Sequence, residues 1–162
     1  VEARKRLQKR ASTVFPAPPR DLVSITDYAL ANQSSRERFG RGIPRQAFAL
    51  WPKIREVDAL ALLHPRRFVE VHPECSFLEM TGVIPPSKHS DAGKKFREIA
   101  LGGVFGGRLD TIRPVDVRGA KRDDVLDAYA VLWSALRFVN SQHRTIGDGA
   151  LDRRGIPMRI VS

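Results

Sequence analysis

Cysteine is all but missing: Cys75 stands alone among 162 residues. No internal disulfide can form, which fits a reducing, cytoplasmic setting, and a small buried side chain is the plainest reading of that thiol. No apolar run approaches the ~18 residues of a bilayer-spanning helix, and the basic start is not followed by a signal-like apolar segment, so no membrane partner is expected. The four histidines, His64, His72, His89 and His143, lack zinc-type spacing and cysteine company. A nucleophile elbow and a phosphate-cradling loop are both absent. GGVFGG, residues 102 to 107, is no dinucleotide fingerprint, because it closes a helical pattern instead of following a strand.

Positive charge, by contrast, is abundant. Twenty-eight Lys and Arg against 18 Asp and Glu leave a formal net charge of +10. Such a balance attracts polyanions and makes DNA or RNA the expected partner, although structural RNA-binding proteins share it. The hydrophobic content, 42%, suits a globular core, and residues 1–162 read as one domain. The opening VEARKRLQKR reads as the middle or end of a charged helix without a cap, as expected of a fragment.

Periodicity and punctuation give the coarse layout. A Pro-rich extended stretch, ASTVFPAPPRD, leads to a helix expected over 21–32. SSRERFGRGIP is a polar, basic loop. A helix from Pro44 to about Leu63 should kink or break at Pro52. RRFVEVHPE, residues 66 to 74, is the best strand, ended by Pro73. Short helices follow over 74–81 and over 92–105, the second capped by Ser90 or Asp91. TIRPVDV is a weak strand candidate and IPMRIV a closing strand.

Between those last two lies KRDDVLDAYAVLWSALRF, residues 121 to 138. Val125, Ala128, Tyr129, Leu132, Trp133, Leu136 and Val139 recur at helical spacing and predict a buried face. Asp123, Asp124 and Asp127 crowd the first turns. Acids there cap orphan N–H groups and complement the macrodipole. A second reading is open as well: Asp124 and Asp127, three apart, lie on one side of the helix and repel unless a cation or donor sits between them.

Glu70 raises the same question in the strand. Flanked by Phe68 and Val71, it reads as buried, where an ionised carboxylate needs a partner or a metal, unless an arginine neutralises it or the strand lies at an edge. His72 shares its face, and Glu74, just past the strand, reads as more exposed. Glu70 with Asp124 and Asp127 forms a set of hard oxygen donors suited to Mg²⁺ or Mn²⁺ in phosphodiester cleavage, with Asp123 and Glu74 as second choices. Lys88 and Arg97 could contact phosphate from the intervening segment.

FPAPPR, GRGIPRQAFALWPKIREVD, VEVHPECSF, the spaced Lys88, Gly93 and Arg97, DDVLDA and GIPMRIV together resemble the domain of unknown function 429 family, nearly end to end. The resemblance implies an α/β, ribonuclease H-like mixed sheet flanked by helices and a metal-dependent nuclease activity. It implies that Glu70 is the mid-domain acid and that Asp124 and Asp127 are the helical acids. Members begin upstream of the segment matching VEARKRL, with a glycine-rich strand bearing an aspartate. The chain would then be the C-terminal two-thirds of such a domain, and helix-rich.

Overall fold

The computed structural model describes residues 2–64, 67–106 and 119–162. The protein is an α/β chain, mostly helical, with a small mixed sheet. The chain groups into two compact units. The first comprises 1–14, 69–152 and 157–162; the second comprises 15–68 and 153–156.

In the second unit, helix α2 spans Tyr28–Phe39, not the expected 21–32. Two local effects displace it. Arg20–Leu22 form a 3-10 turn that buries Leu22, and the Asp27 carboxylate accepts the Leu30 N–H at 2.8 Å, which fixes the N-terminus there. Gly40, at φ 68°, ends the helix, so much of the stretch read as a basic loop is helical. Helices α3 (Arg45–Ala49) and α4 (Trp51–Leu63) are separated at Leu50, with Pro52 in the first turn of α4. The expected break falls there because a proline deeper in one helix would remove a bond and clash with the preceding turn. Trp51, Ala47, Ala31, Ile43 and Leu22 form this unit's core.

The first unit opens with α1 (Glu2–Leu7) and a 3-10 turn through Thr13. Strand β1 is only Glu70–Val71, much shorter than the nine residues expected, because Pro73 starts helix α5 (Pro73–Thr81). Helix α6 (Asp91–Phe105) is capped by Ser90, whose Oγ accepts the Gly93 N–H at 3.1 Å, and ends before Gly106. Helix α7 spans Arg122–Val139, and strands β2 (Thr145–Ile146) and β3 (Ile160–Val161) complete the sheet. The order is β1-β3-β2, with β3 parallel to β1 and antiparallel to β2. TIRPVDV lies outside the described residues.

Two apolar clusters hold this unit. Ala3, Leu7, Val14, Cys75 and Ile146 pack α1 and α5 onto the sheet, while Phe77, Leu101, Leu126 and Ala130 join α5, α6 and α7. Each large side chain so buried contributes roughly 1.5–3 kcal/mol. Glu79 on α5 adds a polar tie to Arg6 and Arg144, both at 3.1 Å.

Helix α7 corrects the sequence reading most sharply. Its buried residues are Leu126, Ala130 and Ser134; Leu132, Leu136 and Val139 are 45%, 49% and 79% exposed, and Ala128 is exposed too. The reason is partnership. Ser134 and Ser76 of α5, both fully buried, share a 2.8 Å hydrogen bond, and the small Ala130 and Ser134 let the helices approach closely. The face turned inward packs Leu126 and Ala130 with Phe77 and Leu101 and also closes the serine pair, and Asp123 and Asp127 lie on its side.

Candidate functional site

Gly93 begins the site. A Cβ at this position would lie 1.9 Å from the Ser87 carbonyl oxygen, so only glycine lets the Pro85–Ser87 segment run against the first turn of α6. That approach positions two cations. Arg97, four residues along α6, donates through Nη1 to the Pro86 and Gly93 carbonyls, each at 2.9 Å. Lys88, at the other end of the segment, reaches α7, where Nζ lies 3.2 Å from Asp123 Oδ2 and 3.1 Å from Asp127 Oδ2. The Lys88, Gly93 and Arg97 pattern thus has a single local cause.

Glu74, in the first turn of α5, is not exposed as its position past the strand suggested. It is buried, and both its oxygens accept from Arg97 Nη2 at 2.9 Å. Arg10, from the turn after α1, donates to Glu74 Oε1 at 2.9 Å. Arg97 is only 1% exposed, so the cation expected to contact phosphate is committed inside the protein to Glu74. Such a pair offsets a large desolvation penalty through the bonds made by the Nη atoms, while, among the described residues, Arg97 Nε and Arg10 Nε are buried without a hydrogen-bond partner.

The charges act on one another. Burial raises the Asp127 carboxyl above its ordinary value, against the opposing pull of Lys88 and Arg97; Glu74 pushes it further up. Partial burial also pushes Asp123 upward, but the hydrogen bond and charge of Lys88 overcome it and leave this carboxyl below the ordinary range. For Lys88, burial acts downward and the two aspartates upward; the aspartates win. Two chemically identical acids four residues apart are therefore driven in opposite directions, a feature frequent at functional sites.

Asp124 and Glu70 make no ion pair with Lys88. Asp124 is exposed, and its Oδ2 accepts the Lys121 N–H at 2.9 Å, one half of a capping box, since a lysine side chain cannot accept a bond in return. The signal was in the sequence, where acids crowd the first turn. Glu70 stands on an edge strand and is exposed, not buried as the strand pattern suggested. The protein crowded about its carboxyl raises it, with His72 opposing. His72 itself lies 3.1 Å from the Thr13 carbonyl through Nε2. Among the described residues no three His, Cys, Asp or Glu side chains converge closely enough to hold a metal ion. Arg10, 64 residues from Glu74, left no local signal by which sequence reasoning could find it.

The donor set nevertheless suits a hard cation. Asp123 and Asp127 already direct one oxygen each at a single cationic centre, and Mg²⁺ commonly binds through one or two carboxylates with water and phosphate completing its shell.

The family model described as Protein of unknown function (DUF429) matches residues 1–150. The chain belongs to that family. As a DUF429 protein it carries the Lys88, Gly93, Arg97, Asp123 and Asp127 set within the matched span. No curated protein and no solved structure matches it. Among the described residues, no helix of this DUF429 chain is long and apolar enough to cross a membrane.

Proposed function

We propose that this chain carries the site of a cytoplasmic, divalent-metal-dependent nuclease of ribonuclease H-like type, hydrolysing phosphodiester bonds of DNA or RNA with Mg²⁺ or Mn²⁺. The observation behind this reading is the convergence of Asp123 and Asp127 on one cation in a protein of net charge +10. Asp123 and Asp127 would hold the metal, and a bound Mg²⁺ or Mn²⁺ supplies electrophilic stabilisation of the phosphodiester under attack. Lys88 neutralises the two acids until then and would be released to meet a phosphate oxygen. Arg97 and Arg10 are positioning residues: they fix Glu74, and Arg97 fixes the segment that presents Lys88.

One observation favours a second reading, a noncatalytic nucleic-acid-binding or regulatory module: Asp123, Asp127 and Glu74 each already have a basic partner, as a purely structural network would. Cleavage assays on the full-length protein separate the two. Nuclease activity that appears with Mg²⁺ or Mn²⁺, disappears with chelator and is abolished by Asp127→Asn supports the enzyme. Metal-independent binding that is indifferent to Asp127→Asn, without cleavage, supports the module.

A further inference from the structure

Ten residues of the second unit, RERFGRGIPR (36–45), hold four arginines and one glutamate. They form the last turn of α2, the Gly40–Pro44 loop and the start of α3. The loop is tied to α2 at three points. Ser35 Oγ donates to the Arg41 carbonyl at 2.7 Å, the Ile43 N–H donates to Asn32 Oδ1 at 2.8 Å, and the Tyr28 hydroxyl donates to the Ile43 carbonyl at 3.0 Å. Beneath it, Ile43 and Ala47 are buried in the core of the unit. The cations on this loop therefore stand on a fixed frame.

Their charges are left uncompensated. Arg36, Arg41 and Arg45 are exposed, and among the described residues none has a carboxylate within ion-pair distance. Glu37, the one acid in the stretch, is turned along α2 and accepts from Gln33 Nε2 at 2.8 Å. Arg38 is different, since it pairs with Asp21 at 2.8 Å. Arg36 lies against the loop backbone: a Cβ on Gly42 would meet its Nε at 3.3 Å. Arg45 is oriented by the Tyr28 ring, 4.4 Å from its guanidinium carbon, a contact that aims the charge without neutralising it. Phe39, within the same stretch, carries the Arg38 guanidinium 5.3 Å from its ring centroid and leaves 42% of its surface in solvent.

We propose that Arg36, Arg41 and Arg45, with the exposed ring of Phe39, form a binding face for single-stranded nucleic acid on the second unit. Guanidinium groups on a hydrogen-bonded loop and on the two helix ends that flank it suit successive backbone phosphates, and the part of the Phe39 ring left in solvent offers a stacking platform for a base. An acidic polypeptide would use the charges but not the ring. No contact here reads a 2′-hydroxyl, so DNA and RNA strands share the face. The inference rests on the nucleic-acid reading above but not on its metal chemistry.

The test is fluorescence anisotropy on the full-length protein with labelled single-stranded DNA and RNA of about 20 nucleotides, in chelator and over a salt series. Replacing Arg36, Arg41 and Arg45 together by Gln should weaken binding at least ~10-fold and flatten the slope of log K against log salt by about 2, since each lost phosphate contact on a single strand removes roughly 0.7. The triple Lys variant should retain the slope. Phe39→Ala should weaken binding several-fold with the slope unchanged. A triple Gln variant that binds as the parent does, with circular dichroism intact, overturns the proposal. So does polyglutamate competing as well as the oligonucleotide while Phe39→Ala has no effect. If the parent binds no strand at all, the nucleic-acid reading fails with it. If Asp127→Asn binds normally yet metal-dependent cleavage was never present, only the enzyme reading fails.

Discussion

Asp123 and Asp127 close on the same ammonium, that of Lys88, at 3.2 and 3.1 Å, yet their proton affinities are shifted in opposite directions. The difference is one of depth: Asp127 loses more to burial than Lys88 returns, whereas Asp123 gains on balance.

This contrast makes a paired stability prediction. The ordinary value for both carboxyls is 3.8. Asp127 binds its proton more tightly folded than unfolded, so its contribution is fully present below 3.8 and is lost as pH rises through the raised folded value. Asp123 does the reverse: its contribution is present above 3.8 and lost as pH falls through the depressed one. In urea titrations near pH 7, Asp123→Asn should lower the midpoint and Asp127→Asn should not; both differences should vanish in strong acid. A midpoint for Asp127→Asn well below that of the parent at neutral pH would refute the account.

Asp124 provides the control for the enzyme proposal. Its replacement by Ala removes an acceptor and a negative charge from the first turn of α7 and should destabilise the protein by about 0.3–1 kcal/mol while leaving metal-dependent cleavage in place. Cleavage lost through Asp124→Ala but retained in Asp127→Asn would move the site to the exposed acid.

The orientation of α7 is testable by truncation. Leu126, 6% exposed in the cluster with Phe77 and Leu101, should cost about 2–5 kcal/mol when replaced by Ala. Leu132→Ala, at an exposed position, should stay within roughly 0.5 kcal/mol. Chemical denaturation of both variants decides it; equal losses would mean that the helix buries its other face.

Gly93→Ala should act on stability and on the site together. The added methyl meets the Ser87 carbonyl, so the segment bearing Lys88 must move, with a destabilisation of about 1–3 kcal/mol. Cleavage should fall more than Lys88→Met alone explains, because the Arg97 bond to the Pro86 carbonyl is disturbed as well. An Ala variant of unchanged midpoint would contradict the close approach.

Cys75 is 2% exposed, and burial drives its thiol up to about 11, with Arg6 opposing and Glu74 adding to the rise. A thiol-reactive dye at neutral pH should therefore leave the native protein unlabelled and react only as the chain unfolds. Stoichiometric labelling without denaturant would place the sulfur at the surface.

The local features were legible because nearest neighbours decide them. Pro52 broke the long helical pattern, Ser90 capped α6, and Asp124 accepted the Lys121 N–H, each an effect confined to a few residues. The basic balance, the single inert thiol and the acids at the head of α7 were equally open to view. Tertiary structure alone settled which aspartates meet Lys88, that Glu74 lies buried between Arg10 and Arg97, and that α7 turns Ser134 to Ser76 and leaves Asp124 in solvent. Apolar spacing measures only how much surface water would gain by losing; it does not count partners. Where buried hydroxyls, carboxylates and guanidiniums pair across dozens of residues, as Ser76 does with Ser134 and Glu74 with Arg97, no window of sequence contains both halves of the match.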